Sequence, residues 1–554
     1  MLIVPQCYNS TVFTIIQLYI LASLVILGFS FLADITDNSI GAKRWYRAKV
    51  ERYKFMKVID KASPLRPFRW LFRLILTYPR TASIVGVLIC FHVFLHLANP
   101  YAQVHWFETP YKTAVNATGE ITYEEVYEPL VLADPVSDIF GYYRSGFLIA
   151  QNTLFGGQPI KDDSSSNIIA KIHQRRFDPS KPYLISGDQF SVLYPRNLGV
   201  FYNQLLDPNT ALSEADWENR QRIYLQSVLF AINGLSAGDT PKTTLVPVAP
   251  RTVAATSVHP GDIASDAVYG TLYALNQLNS VKVSRDKRYE VRTHESAQRI
   301  LKDKSAELTH MVRAYVTAVQ DPVTKLIKTD VHLASARDGA SRRSSFYDNV
   351  ILWKTLALAD TLGIVQTSKE ELTRLKQTIE TMYWNETAGY YNNDAFDDGF
   401  SSDWLIGYVT GFFDLESEID LERTIRTIDY INKNGLADPL PIKYQNGKPN
   451  DMPWVIKLVV PTYGGEAIWS YWGSEYITLL INMHKVTGDE KLMKQAARGI
   501  ELYEKAIVRD GGFAETFDAD GNFLESGLYK SIRITGWVVQ FEHAKYEYAR
   551  VGRP

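Results

Sequence analysis

From about residue 132 to the C-terminus, apolar residues recur at helical spacing in twelve stretches, and the stretches are of two kinds. They run roughly over 133–153, 197–207, 214–236, 264–279, 293–320, 345–364, 368–384, 402–415, 420–434, 464–486, 489–507 and 529–550. Those starting near 214, 293, 368, 420 and 489 are amphipathic and rich in Lys, Glu and Arg, as in Glu370-Glu371-Leu372-Thr373-Arg374-Leu375-Lys376. Such helices bury one stripe and keep the other face in water. Those starting near 264, 345, 402 and 464 are apolar or aromatic on most faces, as in Ala467-Ile468-Trp469-Ser470-Tyr471-Trp472, and belong inside. Alternation of inner and outer helices over six pairs describes an all-α (α/α)6 toroid. A helical-repeat solenoid requires a fixed sequence period, and none is present.

The stretch before this pattern is different in kind. Val12–Leu32 is an uncharged run long enough to cross roughly 30 Å of hydrocarbon, and Thr81–Ala98 is a second, shorter one. No basic residue precedes the first run and no small-residue cleavage site follows it, unlike a cleaved leader. Between the runs lies a basic loop, 35–79. Residues 1–98 carry twelve Lys and Arg against four Asp and Glu. Basic residues flanking membrane spans stay on the cytoplasmic side. The expectation is a two-helix membrane hairpin over 1–98, a linker over 99–131, and a domain over 132–554 outside a cell membrane crossed more than once.

The chain's near balance of 59 basic and 61 acidic residues argues against a nucleic-acid partner. Its two cysteines, Cys7 and Cys90, exclude a disulfide scaffold and a cysteine zinc site. No histidines take metal-ligand spacing, so no metal or cofactor is expected. The acidic cluster Asp394, Asp397 and Asp398 reads as a solvated loop.

In a toroid, the segments leading into the inner helices open at one end, and here they gather charged, aromatic and Gly residues. They include Tyr194-Pro195-Arg196-Asn197, Ser265-Asp266, Arg337-Asp338 to Arg342-Arg343 with Tyr347-Asp348, Ser402-Asp403-Trp404, Gly465-Glu466, and Gly512-Phe513-Ala514-Glu515. Carboxylates transfer protons, Arg and Asp fix hydroxyls, and Trp stacks on sugar rings, so the chemistry suits an oligo- or polysaccharide. Asp338 has a competing reading as a brace for Arg342 or Arg343, Asp348 as a helix N-terminal charge, and Glu515 as part of a solvated hairpin tip.

Four of these motifs resemble those of the six-hairpin glycosidases: glucoamylases, amylo-α-1,6-glucosidases, and processing α-glucosidases related to trehalase. Tyr194-Pro195-Arg196-Asn197 resembles their sugar-gripping Tyr/Trp-Pro-Arg-Asp, with Asn197 where Asp is usual. Arg337-Asp338…Arg343 followed by Tyr347-Asp348-Asn349-Val350-Ile351-Leu352-Trp353 resembles their general-acid segment, although no Trp stands beside the acidic residue. Gly512-Phe513-Ala514-Glu515 resembles their general-base segment, and Thr535-Gly536-Trp537 their closing inner helix. The resemblance implies an inverting, α-glucosidase-like hydrolase with Asp338 as acid and Glu515 as base. Arg196, Asn197, Asp266, Arg343, Asp348, Trp404 and Glu466 are then the sugar-binding candidates. Two other readings stand beside it. One is a polysaccharide lyase on the same toroid, with Tyr347 as base and Arg342 or Arg343 neutralising a uronate. The other is a non-catalytic glycan receptor.

Overall fold

A computed structural model of the chain describes residues 158–177, 183–185, 187, 192–207, 213–236, 238, 240–249, 252–256, 263–281, 288–331, 333–335, 342–447, 457, 460, 462–526 and 529–552, together with 30, 78, 80–86, 114–115, 121–122 and 131–132. Two compact units divide it, Met1–Gln103 and Val104–Pro554. In the first, residues 80–86 are helical. The apolar runs 12–32 and 81–98 and the basic loop 35–79 otherwise lie outside the described residues, apart from Ser30 and Tyr78. Among the described residues no helix is long and apolar enough to cross a membrane.

The second unit is mostly helical. Why its helices differ is visible in two neighbours. Phe346–Thr361 starts at Ser345, whose hydroxyl accepts the Asp348 amide, and is buried on every face over its first seven residues. Lys369–Tyr383 starts with a full capping box, Ser368 and Glu371 satisfying each other's backbone amides, and buries only the stripe Leu375, Ile379 and Tyr383. The first is an inner helix and the second an outer one. The same division separates Ser470–Thr487 from Glu490–Asp510, whose buried residues recur at Met493, Ala496, Ile500, Tyr503 and Ile507.

The inner elements pack in succession. Pro195–Gly199 lies against Ala267–Asn279, which lies against Phe346–Thr361. Next come the short Ser402–Leu405 and Ile406–Val409 helices, then Ser470–Thr487 and Val538–Val551. The succession closes on itself. Phe201 stacks on Trp537 at 4.4 Å, Gln540 donates to Asn203, and His543 meets Asp207 at 2.5 Å. Two glycines permit the close approaches: a Cβ on Gly270 would stand 2.3 Å from the Pro195 carbonyl, and one on Gly536 would stand 2.2 Å from the Tyr202 hydroxyl.

The segments leading into these helices are tied to one another by short strand pairings. Gly187 bridges Thr535, Leu193 bridges Leu245, and Ile263–Ala264 pairs in parallel with Leu333–Ala334. Ser345 bridges Asp394, Ser401 bridges Gln445, Lys443 bridges Ile468, and Ile468–Trp469 pairs with Thr516–Phe517. Every inner helix therefore starts at the same end of the bundle.

Several elements depart from the sequence pattern: the 197–207 stretch is helical only as Pro195–Gly199, the 402–415 stretch holds two short helices that end at Val409, and the 529–550 stretch becomes helical at Val538. Glu214–Ser236 is exposed only in its first turns and buried from Arg220 to Leu235, because Ala267–Asn279, Arg288–Asp303 and Ser305–Val319 all pack on it. The stretch 293–320 is two helices broken at Lys304, which no sequence feature marks. Ser165–Arg176 is a further helix that packs on Glu490–Asp510. The stretch 133–153 lies outside the described residues, and of the linker 99–131 the short strands Ala114–Val115, Ile121–Thr122 and Val131–Leu132 are described.

Candidate active site

At the end where the inner helices start, two buried arginines converge on one serine. Arg196 donates from Nη1 to the Ser335 carbonyl at 2.5 Å, and Arg342 donates from Nη2 to the Ser335 hydroxyl. The Pro195–Gly199 turn carries Arg196, and the loop just before Phe346–Thr361 carries Arg342. Arg342 also donates from Nη1 to Asp403 Oδ2 at 2.5 Å, and the Tyr444 hydroxyl donates to the same oxygen at 2.6 Å. Both partners of this ion pair are almost fully buried, so each needs the other.

The Arg342 guanidinium lies over the Tyr347 ring at 5.4 Å, and the Tyr347 hydroxyl donates to Asp266 Oδ2 at 3.0 Å. Burial, with the Asp266 carboxylate next to it, pushes the Tyr347 phenol far above its ordinary range. Tyr347 is thus a fixed hydrogen-bond donor.

An aromatic wall leads from Asp403 to Glu515. The Tyr444 ring packs on Trp469 at 5.7 Å, Trp469 on Tyr463 at 5.0 Å, and Tyr463 on Tyr529 at 5.5 Å. Tyr529 is hydrogen-bonded to Glu515, and desolvation followed by the Glu515 charge pushes its phenol well up. Glu515 is held by its backbone: its amide donates to the Ile532 carbonyl at 2.7 Å, and its carbonyl accepts the Ser470 amide at 3.1 Å. The segment that carries Glu515 is therefore anchored to the first residue of an inner helix.

The remaining candidates divide. Asn197 is buried, its carbonyl accepting the amides of Phe201 and Tyr202. Asp348 is buried at the third position of its helix, with Oδ2 accepting the Ser345 hydroxyl at 2.5 Å and Oδ1 without a hydrogen-bond partner. Arg343 points away from the cluster; it is exposed and lies over the Phe396 ring at 5.5 Å. Trp404 is 1% exposed and tilts against Phe413 at 5.8 Å, which makes it part of the core. Glu466 is half-buried in the turn 462–466. Asp338 lies outside the described residues.

Ser335, Asp403, Tyr444, Tyr463 and Tyr529 were not among the sequence candidates. Asp403 and Tyr463 belong to segments leading into inner helices; Ser335, Tyr444 and Tyr529 carry no motif. Deeper in the bundle, a further carboxylate belongs to no motif either. Glu475 faces Asn203, whose Nδ2 donates to Oε1 at 3.2 Å, and burial, opposed by that hydrogen bond, pushes its carboxyl up to about 7.

Solved structures superpose on the chain in part. A rhamnosidase from Klebsiella oxytoca with rhamnose bound shares 13% identity and a TM-score of 0.42, over 71% of this chain and 66% of the rhamnosidase, just under two thirds of its length. Cellobiose 2-epimerase from Bacillus thermoamylovorans B4167 shares 11% identity and a TM-score of 0.44, over 74% of this chain and 100% of the epimerase. A glucoamylase from Saccharomycopsis fibuligera shares 10% identity and a TM-score of 0.44, over 72% of this chain and 98% of the glucoamylase. No family model and no curated protein matches the sequence.

Proposed function

We propose that the helical unit is an (α/α)6 toroid bearing a glycoside hydrolase site at the end where its inner helices start. One observation carries this reading: the loops that hold Arg196, Asp266, Arg342, Asp403 and Glu515, far apart in sequence, are stitched together at that end. A glycoside hydrolase needs one carboxyl to protonate the leaving oxygen and a second to act on the opposite face. We assign the base to Glu515, whose backbone is anchored to Ser470 and Ile532. The acid is Asp338, on the motif likeness of its segment. Arg196 and Asp266 serve to position the sugar, as members of the buried cluster. In an inverting enzyme the two carboxyls stand roughly 6.5–9.5 Å apart, leaving room for the attacking water.

Two features speak against a lyase. The Tyr347 phenol is pushed far up and already donates to Asp266, so it is ill suited to abstract a proton. Arg342 is neutralised by Asp403, so its charge is not free for a uronate.

Residues 1–98 are proposed to anchor this unit on the outer side of a cell membrane. The two uncharged runs and the basic loop between them support that reading.

The test is incubation of the full chain with α-glucans, trehalose and cell-wall oligosaccharides, with products followed by NMR. Hydrolysis with inverted anomeric configuration is the expected result. A rise in ultraviolet absorbance from unsaturated product would establish a lyase instead. Binding without turnover would make the protein a glycan receptor.

A further inference from the structure

Among the described residues, Phe396 is the aromatic side chain left exposed, at 68%. A scattered apolar side chain on a surface needs no explanation. This one is held in place by an unusually complete set of bonds. Asp394 Oδ1 accepts the amides of Phe396 at 2.7 Å and Asp397 at 2.8 Å. Asp397 accepts the Gly399 amide at 3.0 Å on one oxygen and the Asn393 side chain at 2.8 Å on the other. The Asn393 amide closes the loop on the Gly399 carbonyl at 2.9 Å. Asp394 and Asp397, which read in sequence as part of a solvated loop, are the internal brace of an ordered platform, while Asp398 is exposed.

The platform is fixed to the candidate site. Ser345 bridges Asp394, the Arg343 amide donates to Asp394 Oδ2 at 3.1 Å, and the Ala395 amide donates to the Arg343 carbonyl at 3.3 Å. Arg343 adjoins Arg342 of the buried cluster, and its guanidinium covers one face of the Phe396 ring. A cation on one face orients the ring and leaves the rest of it in water. The exposed π-face is negative and attracts the polarised C–H groups of a pyranose ring. Because the loop is already ordered, docking a ring there carries little further entropic cost.

We propose that Phe396 is a stacking platform for a second pyranose of the bound glycan, a binding position at the rim of the active site. This rests on the glycoside hydrolase reading for its substrate class. The position lies beyond the buried cluster, so it selects for chain length.

The experiment compares the full-length protein with Phe396→Ala and Phe396→Trp, on maltose and on maltoheptaose, by kcat/KM and by titration calorimetry. In Phe396→Ala the ratio of kcat/KM for maltoheptaose over maltose falls about three- to tenfold, the range for losing one aromatic contact, and Phe396→Trp restores it. An unchanged ratio overturns the platform and leaves the hydrolase reading standing. A wild type that binds maltoheptaose more tightly than maltose without cleaving either, with Phe396→Ala erasing the difference, upholds the platform and overturns the hydrolase reading. A wild type that neither binds nor cleaves either sugar overturns both for α-glucans.

Discussion

Asp403 and Glu475 stand on adjacent inner elements, each 3% exposed, and their surroundings differ in one respect. Asp403, at the loop end, has a guanidinium at 2.5 Å and a phenol at 2.6 Å. Glu475, inside the bundle, has an amide at 3.2 Å, and the imidazole in its neighbourhood is engaged by Asp207. Loops deliver a cation to a buried carboxylate because their backbones can be routed to it. Helix interiors offer the side chains that happen to face inward, and here those are amides and phenols. The loop end is thus an electrostatically compensated region, and the interior holds a carboxylate that avoids its charge by taking up a proton.

Removing the compensation tests the contrast most severely. Arg342→Ala leaves Asp403 buried without its cation and is expected to lower stability by about 3–5 kcal/mol, read as the urea midpoint. The pair Arg342→Met with Asp403→Asn recovers most of that loss. A single substitution costing under about 1 kcal/mol would mean that Asp403 is not held by charge pairing.

Glu475 gives the opposite sign. Its folded-state pKa, about 7, lies above the ordinary carboxyl value of 4.5, so the folded protein binds the proton more tightly than the unfolded chain. Stability from this group is fully present below about pH 4.5 and is lost as pH rises toward 7. Glu475→Gln, which imitates the protonated form, should raise stability by about 3 kcal/mol at pH 8 and by little at pH 4.5. Melting curves across that window check it; a gain independent of pH would refute the titration argument.

Glu515→Gln separates catalysis from stability. It keeps the shape of the side chain and is expected to lower kcat by at least about 10²-fold while leaving the melting temperature near that of wild type. Near-normal turnover would move the base to Glu466 or Asp348.

The smallest effect calibrates the outer layer. Ser368→Ala removes an exposed capping box and should cost about 1 kcal/mol, with no change in activity. A loss of turnover there would show that the outer helices communicate with the site.

The helical layers were legible because burial on one face and burial on all faces leave different apolar patterns. That rule failed for Glu214–Ser236, where charged residues in the first turns hid a helix covered by several neighbours. It also missed Ser165–Arg176, whose apolar stripe is only Ile168, Ile169 and Ile172. Arg196, Asp266 and Glu515 could be singled out because motif residues cluster in their loops. Ser335 and Tyr444 could not, since Ser335 meets Arg196 across 139 positions and Tyr444 meets Asp403 across 41. Sequence spacing carries no trace of such meetings. Arg342 and Arg343 are identical residues side by side, yet Arg342 enters the cluster and Arg343 lies over Phe396 at the surface.

The seam where Val538–Val551 meets the first inner element also sets an order of events. His543 and Asp207 lie 336 positions apart, and Gln540 and Asn203 lie 337. Bringing such distant positions together costs roughly 5 kcal/mol of chain entropy before any contact offsets it. A ribosome releases the first partner long before the last, so the hairpins in between can form while the seam is still open. Thr535, which bridges Gly187 and so ties the girdle's last segment to its first, sits beside that seam. Closure of the bundle and completion of the loop end are therefore one late step of folding, and a newly made chain has no finished girdle until its final helix has docked.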